Sequence, residues 1–324
     1  MSLRYCLLVL AFGLVTGPAF AADPPYPESR PIRLIVPAAP GGGADFVARI
    51  LGQKLGEALG QTVIVDNRAG ASGTIAADNT AKAAADGHTL LIGQSTSIVI
   101  APHMYAKLGY DTLRDLMPVT LVAQVPNILV VHPGVTAANV KELIALAKSR
   151  PDALNYGSSG NGAPSHLAGE MFKSAAGVAM VHVPYKGAGP AVNDLVAGQI
   201  QIMFAPIVAV LPQVKAWRLR ALAVTSAARS AAAPDVPTLA ESGLAGYEIS
   251  SWFGLFAPAA TPPAVIDRLY RESAKALQSA EVRERFAQEG AEPVGNSPAE
   301  FAAYVRSEYA RYGRIVKGIG IKAE

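Results

Sequence analysis

Short apolar segments of strand length recur along the 324-residue chain, and each is followed by a turn rich in glycine or serine and then by a segment with helical spacing. After the first of these segments, Val47, Ile50, Leu51, Leu55 and Leu59 recur at steps of three and four, which places them on one face of a helix. Strands that alternate with such helices predict βαβ units and a parallel sheet. The clearest strand segments are residues 32–36, 63–65, 89–92, 128–131, 180–183, 200–204 and 219–224.

Two stretches interrupt this alternation and predict that the chain passes between two lobes. They are residues 121–126 and residues 234–251, the second of which is rich in Pro, Gly and Ser. Two crossings of this kind form a hinge that lets lobes close on a ligand. The predicted division is a first lobe made of residues 22–122 plus 250–324 and a second lobe made of residues 123–249.

The N-terminal residues predict a secretory signal. Arg4 precedes an apolar run at 7–15, and Ala19-Phe20-Ala21 offers the small residues of a cleavage site, so residues 1–21 would be removed. The alternative is a transmembrane anchor, but the apolar run is shorter than the roughly 20 residues that a bilayer-spanning helix needs. We therefore expect an exported, periplasmic protein.

The composition excludes some partners. The formal net charge is +3, only 16% of residues are charged, and Lys and Arg are scattered, so nucleic acid is not expected as a partner. The one cysteine, Cys6, lies in the predicted signal. The mature chain would then have neither disulfides nor cysteine ligands for a metal, and its stability would come from burial alone.

The strongest local motif is PAAPGGGAD at residues 37–45, between the first strand and its helix; we name it the first glycine loop. Consecutive glycines let backbone N–H groups approach a ligand, and a helix N-terminus adds unpaired donors and partial positive charge, which together favour an anion. The alternative is an ordinary connection in which Asp45 caps the helix. Asp45-Phe46 after the glycines rules out G-x-G-x-x-G, and no Gly-Lys-Ser/Thr follows, so nucleotide binding is not expected.

A second loop of the same kind, GSSGNGAPSH at residues 157–166, follows a strand segment at 154–156 and precedes a helix; we name it the second glycine loop. It could form the opposite side of a binding site, or it could be a flexible surface turn. Neither loop contains Lys or Arg. An anion between them would have to be held by backbone amides, hydroxyls and water.

Enzyme motifs are incomplete in this sequence. GSSGN at 157–161 and GASGT at 70–74 both miss the last position of G-x-S-x-G. The five histidines are scattered without H-E-x-x-H. We expect no catalytic activity, no cofactor and no metal, with an exported serine hydrolase as the alternative. His182 fits a buried core position, whereas His166 could contact a ligand.

These segments together resemble the Bug family, the TctC-like receptors of tripartite tricarboxylate transporters, over nearly the whole predicted mature chain. The segments that carry the resemblance are 30–45, NRAG at 67–70, DGHTLL at 86–91, NYGSSG at 155–160, VPYKG at 183–187, AGQI at 197–200, LRALAVT at 219–225, PTLAESG at 237–243 and WFGLFAP at 252–258.

The resemblance implies a type II periplasmic-binding-protein fold, in which two α/β lobes with mainly parallel sheets are joined by a two-crossing hinge. It also implies that a ligand carboxylate is gripped between the two glycine loops through backbone amides and bridging waters. Transferred by position, the expected contacts are Ala39, Gly42, Gly43, Asp45 and Phe46 on one side, Ser95 on the floor, and Ser158, Ser159, Ser165 and Tyr185 on the other side.

The function implied is that of a receptor that captures a carboxylated organic compound and delivers it to a membrane permease of the tripartite tricarboxylate type. The family takes dicarboxylates, tricarboxylates, acidic amino acids and aromatic acids, so the resemblance does not fix the ligand. We expect a monomer. The alternative is a periplasmic sensor module whose closed lobes dock on a signalling protein.

Overall fold

The computed structural model describes residues 26–27, 30–288 and 290–321, so the predicted signal segment lies outside the described residues. The strands are β1 (Ile32–Val36), β2 (Val63–Asn67), β3 (Thr89–Gln94), β4 (Leu116–Val131), β5 (Asn155–Ser158), β6 (Val181–Pro184), β7 (Ile202–Pro206), β8 (Arg220–Val224), β9 (Ser250–Pro258) and β10 (Glu292–Pro293). The helices are α1 (Gly43–Leu59), α2 (Thr74–Ala81), α3 (Ala101–Met104), α4 (Thr112–Asp115), α5 (Val140–Ser149), α6 (Pro164–Ala176), α7 (Ala188–Val196), α8 (Ile207–Lys215), α9 (Pro263–Gln278), α10 (Ala280–Gln288) and α11 (Pro298–Ile319).

The strands follow the order β2-β1-β3-β9-β4-β7-β5-β6, with β8 and β10 also paired to β4. Pairs at the two ends of this order are parallel, as the alternation of strands and helices predicts. Pairs that involve β4 or β9 are antiparallel, so the sheet is mixed. These two strands run through the middle of the order and join an α/β unit on each side.

Strand β4 is 16 residues long and belongs to both units. Up to Pro126 it pairs with β9, and from Asn127 onward it pairs with β7 and β8. The chain returns between Ile249 and Ser250, where β9 begins. We call the strands on the β9 side the first half and those on the β7 side the second half. The predicted lobe boundaries at 122 and 249 stay predictions.

Thr225 bonds to both crossing segments at once. Its N–H donates to the carbonyl of Asn127, and its hydroxyl accepts the N–H of Asn127 and donates to the carbonyl of Ile249 at 2.6 Å. The N–H of Ile249 in turn donates to the carbonyl of Thr225. Because Thr225 is fully buried, these bonds are shielded from water and hold the two crossings side by side.

Helix α1 shows how burial orients the elements around the site. All five residues of its predicted apolar face are buried, and they pack against β1 and β3 in the core of the first half. This fixes the direction of α1, so that its first turn lies at the carboxyl end of β1, where ligands bind in open α/β sheets. None of the helices in the described residues is long and apolar enough to cross a membrane.

Candidate functional site

The first glycine loop leads from β1 directly into the first turn of α1. Gly41 adopts φ +84°, a left-handed conformation that glycine tolerates better than other residues, and lets the chain turn sharply before the helix. Gly42 is the N-cap residue, and no side chain caps the helix there. The donors of the first turn are therefore left without a side-chain partner and face outward from the loop.

Asp45 holds the loop in this shape from inside the helix. Its carboxylate accepts the N–H of Gly41 at 2.9 Å, the Nε–H of Arg49 at 2.8 Å and a side-chain N–H of Asn67 at 3.0 Å. The alternative prediction that Asp45 is the N-cap is wrong, because Gly42 takes that place and Asp45 lies in the first turn. With three glycines in succession, the sequence did not fix where the helix would begin.

The same bonds keep Asp45 ionised. The hydrogen bond from Arg49, helped by those from Gly41 and Asn67 and opposed by burial, lowers the pKa of the Asp45 carboxyl below its usual value. Only 3% of Asp45 is exposed. Its charge is thus compensated inside the wall of the site.

A cavity of about 490 Å³ lies between the two halves, at the mouth of the first glycine loop. Its lining comes from the first glycine loop and α1, from the central strands β4 and β9, from the starts of α7 and α8, and from the residue before β10. The lining residues are Gly41, Gly42, Gly43, Asp45, Phe46, Val47, Arg49, Val125, Ala188, Pro206, Val208, Ala209, Ser251, Phe253 and Ala291.

Three described helices begin at this cavity without a side-chain cap. They are α1 with N-cap Gly42, α7 with N-cap Gly187 and α8 with N-cap Pro206. Each N-terminus carries unpaired N–H groups and about half a positive charge. These helix starts contribute partial positive charge at the cavity without an unpaired basic side chain.

The cavity brings together part of the predicted contact set. Gly42, Gly43, Asp45 and Phe46, which the family resemblance implied as ligand contacts, line it. The other predicted contacts lie outside its lining. They are Ala39, which is exposed, Ser95, which is buried after β3, and the group formed by Ser158, Ser159, Ser165 and Tyr185 around the second glycine loop.

Internal hydrogen bonds brace the second glycine loop. The Ser165 hydroxyl accepts the N–H of Ser159 at 2.9 Å, and the Ser158 hydroxyl accepts the N–H of Gly160 at 3.2 Å. The hydroxyl of Tyr185 donates to Asp194 at 2.7 Å, and burial together with this carboxylate raises the pKa of Tyr185 to about 12. These side chains shape the loop next to the start of α7. Their contact with a ligand stays a prediction.

Sequence reasoning missed the lining residues that do not follow a strand end. Val125, Ser251 and Phe253 lie within β4 and β9, and nothing local marks a position in a central strand as facing a cavity. Arg49 could have been found, because it lies one helical turn after Asp45 at the i,i+4 spacing of an ion pair.

A larger hollow of about 750 Å³ lies elsewhere, between α6 and α11. Its charged lining includes Glu170 and Lys173, which pair with each other at 2.8 Å. It is lined by neither glycine loop and by none of the three uncapped helix starts. We therefore take the smaller cavity as the candidate site.

Two imidazole rings are stacked beneath the second glycine loop. The ring centroids of His166 and His182 lie 3.8 Å apart with 5° between the planes, and the ring of Tyr156 stacks on His182. The Nδ1 atom of His166 accepts the N–H of Gly162, so the neutral form of this ring holds the loop. The Nε2 atom of His182 lies 2.6 Å from the Ser158 hydroxyl.

The surroundings of His166 and His182 disfavour the protonated form of both rings. Burial, followed by the neighbouring His182, lowers the pKa of His166 to about 4, and burial also lowers the pKa of His182. The charged groups that face the pair are Glu170 and Lys173 on α6, which raise and lower these pKa values respectively. Both rings are therefore neutral near pH 7.

We expect the free energy of unfolding to fall as the pH drops from about 6.5 to 4. The unfolded chain binds a proton at each histidine near pH 6.5, whereas folded His166 stays neutral until about pH 4, so acid favours the unfolded state. The loss should be about 3 kcal/mol. Urea unfolding between pH 7.5 and 4.5 measures it.

The variant His166→Asn, which keeps an acceptor for Gly162, should flatten this pH dependence by about one proton. The same substitution at the partly exposed His132 is the control and should leave the dependence as in the wild type. An unchanged pH profile in the His166 variant would refute the assignment.

Among the described residues, no group of three His, Cys, Asp or Glu side chains lies close enough to hold a metal ion. The described lining of the cavity offers backbone dipoles, the ion pair of Asp45 and Arg49, the Ser251 hydroxyl and apolar side chains.

Two α/β halves that are joined by two crossings and enclose a cavity lined by loops of both define the two-lobed class of solute-binding proteins. The chain belongs to the TctC family, described as tripartite tricarboxylate transporter family receptors, whose model matches residues 47–321. The family resemblance and the type II two-lobed fold predicted from the sequence are confirmed.

Relatives and solved structures agree with this assignment. Protein BugT of Bordetella pertussis is 40% identical, and the match covers 97% of this chain and 98% of the relative. The structure of R. palustris Rpa4515 with adipate matches with TM-score 0.81 at 38% identity, over 92% of this chain and 99% of that chain. MatC from Rhodopseudomonas palustris with bound malate matches with TM-score 0.76 at 33% identity, over 89% and 99% respectively.

Proposed function

We propose that this protein captures a small organic acid in the cavity between its halves and releases it to a membrane transporter. The observation that carries the proposal is the meeting of three uncapped helix N-termini at one cavity. Two similar proteins are described with adipate and with malate, which are both small dicarboxylates. Both support a carboxylate as the group that is held.

The magnitudes are sufficient for such binding. Micromolar affinity corresponds to about 8 kcal/mol, and a hydrogen bond to a charged group contributes about 1.5–3 kcal/mol. Each helix N-terminus adds about 0.3–1 kcal/mol. Four or five N–H donors from the starts of α1, α7 and α8 would therefore hold one carboxylate after the cost of closing the cavity.

Arg49 is placed to support this site indirectly. Its Nε–H is bonded to Asp45, and the pair is nearly neutral as a unit. The guanidinium therefore keeps the carboxylate of Asp45 from repelling an incoming anion. We propose that this ion pair sets the charge of the wall and that the main-chain donors hold the ligand.

The proposed setting is the periplasm, with a permease of the tripartite tricarboxylate type as partner and the receptor acting as a monomer. Family membership supports this reading. A sensor module would use the same trap, and the two are distinguished by the proteins that copurify with the closed, acid-bound receptor. Recovery of a signalling protein without a permease would reject the transport assignment.

Ligand binding is tested by a thermal-shift panel on the mature chain. The panel contains monocarboxylates, dicarboxylates, tricarboxylates, acidic amino acids and aromatic acids, with the corresponding amides as uncharged controls. An acid present at 100 times its dissociation constant should stabilise the protein by about 2.7 kcal/mol. Stabilisation by an amide as strong as by its acid would contradict anion capture.

We further propose that capture occurs without catalysis. The contact between Ser158 and His182 is the feature of the described residues that most resembles a nucleophile and base. Ser158, however, is fully buried, and its hydroxyl is also bonded to the second glycine loop. Turnover of aryl esters that disappears in Ser158→Ala would favour the hydrolase alternative instead.

A further inference from the structure

We infer that the cavity selects acids with an unsubstituted hydrocarbon body, aliphatic or aromatic, over hydroxylated acids of the same size. This inference rests on the proposed function, because it assumes that an acid binds in the cavity. It concerns the part of the ligand beyond the carboxylate. The helix N-termini bind the carboxylate and do not distinguish what is attached to it. Selectivity for the rest of the ligand must therefore come from the side chains that line the cavity.

The walls are mostly apolar. Phe46 and Phe253 contribute aromatic rings, Val125 comes from β4, and Val208 comes from the first turn of α8. The remaining apolar lining residues are Val47, Ala188, Pro206, Ala209 and Ala291.

The polar side chains of the described lining offer few partners to a ligand hydroxyl. They are Asp45, Arg49 and Ser251. Asp45 is buried and already accepts three hydrogen bonds, from Gly41, Arg49 and Asn67. A ligand hydroxyl that lies against the apolar wall, away from Arg49, Ser251 and the helix N-termini, would therefore lose its bonds to water and recover few of them.

The ring of Phe253 lies close to the start of α1, where the carboxylate is proposed to bind. A Cβ atom built on Gly43, the first residue of α1, would lie 3.4 Å from the ring of Phe253. A carboxylate at the start of α1 thus places the next carbons of its ligand on this ring. On the side of the second half, Val208 packs close to Gly290, which precedes the lining residue Ala291.

Matched acids test the inference by isothermal titration calorimetry. Succinate, malate and tartrate differ by one hydroxyl at a time, and 3-phenylpropionate differs from 3-phenyllactate by one. We expect each hydroxyl to weaken binding roughly 10- to 100-fold, as for a buried polar group left unpaired. The heat capacity change on binding of 3-phenylpropionate should be negative, because apolar surface is buried.

One wall position can be changed in polarity without a change in shape. Val208→Thr places a hydroxyl in the cavity. It should reduce the ratio of the affinities for 3-phenylpropionate and 3-phenyllactate by about tenfold. Val214→Thr is the matched control, since Val214 lies on the same helix and lines a different hollow. The control should keep the wild-type ratio of these two affinities.

The outcomes separate the inference from the proposed function. If hydroxylated acids bind as tightly as their unsubstituted partners, the selectivity inference is overturned and anion capture stands. If no acid of either series binds while another acid of the thermal-shift panel does, the selectivity inference is overturned and anion capture stands; if no acid of the whole panel binds, both are overturned. If the ratio of affinities for 3-phenylpropionate and 3-phenyllactate is unchanged in Val208→Thr, Val208 does not contact the hydrocarbon part of the ligand.

Discussion

Replacement of Gly42 by aspartate should abolish capture of organic acids while the protein remains folded. Gly42 is the N-cap of α1 and lines the cavity. A carboxylate there would take the first-turn N–H groups for itself and would repel a bound anion. At 4 Å and an effective dielectric constant near 20, that repulsion is about 4 kcal/mol. We expect affinity to fall about 100-fold or more.

The fold should tolerate this change. Gly42 has φ −81°, which any residue can adopt, and a Cβ atom there would meet only Ala39 and Ala38 at ordinary contact distances of 3.4 and 3.6 Å. Aspartate is also a preferred N-cap residue, so the free energy of unfolding should be unchanged or slightly higher.

Gly42→Asn is the control that isolates the charge, because it has the same shape and also caps the helix. Its affinity for the acid that binds most tightly in the panel should lie well above that of Gly42→Asp. Calorimetry gives both affinities, and urea unfolding gives both stabilities. Wild-type affinity in Gly42→Asp would place the anion away from the start of α1.

Truncation of Phe301 to alanine should cause a large loss of stability. Phe301 is fully buried on α11. Its ring packs edge-on against Trp252, with the centroids 5.9 Å apart, and at an angle of 53° against Phe256, with the centroids 5.1 Å apart. The ring lies directly over Gly254 of β9, where a Cβ atom would overlap it. We expect the free energy of unfolding to fall by about 3–5 kcal/mol.

Denaturation in guanidinium chloride measures this effect. Leu113→Ala is the control, since it also shortens an apolar side chain but at a position that is 49% exposed, and it should cost about 0.5 kcal/mol or less. If the midpoint of Phe301→Ala shifts no more than that of the control, α11 does not pack on β9 as described. Because Phe301 does not line the cavity, acid binding by the folded variant should be retained.

Local pattern alone was enough to predict most of the outer elements. The period of apolar residues predicted β1 at its observed bounds and the buried face of α1, because each depends on neighbours within a few residues. The first glycine loop was predicted for the same reason, whereas Gly42, Gly43, Asp45 and Phe46 were expected as contacts from the family resemblance, and the structure places these four in the lining of the cavity.

The two central strands were predicted poorly. Only the last four residues of β4 were recognised, since Pro118 and Pro126 interrupt the strand pattern earlier in it, and β9 was not predicted as a strand. Their antiparallel pairing joins residues more than 120 positions apart, such as Leu116 and Pro258. No local signal carries information over that distance.

What the sequence determined by itself is the α/β class, the glycine-rich turn before α1 and the absence of a basic residue from either glycine loop. These follow from composition, short periods and short motifs, which depend on local chemistry, whereas membership of a receptor family was indicated by resemblance to known sequences. Tertiary structure alone decided that the starts of α7 and α8 meet the start of α1. It also decided that Phe253 and Val125 wall the cavity, because only long-range strand pairing brings such distant residues together.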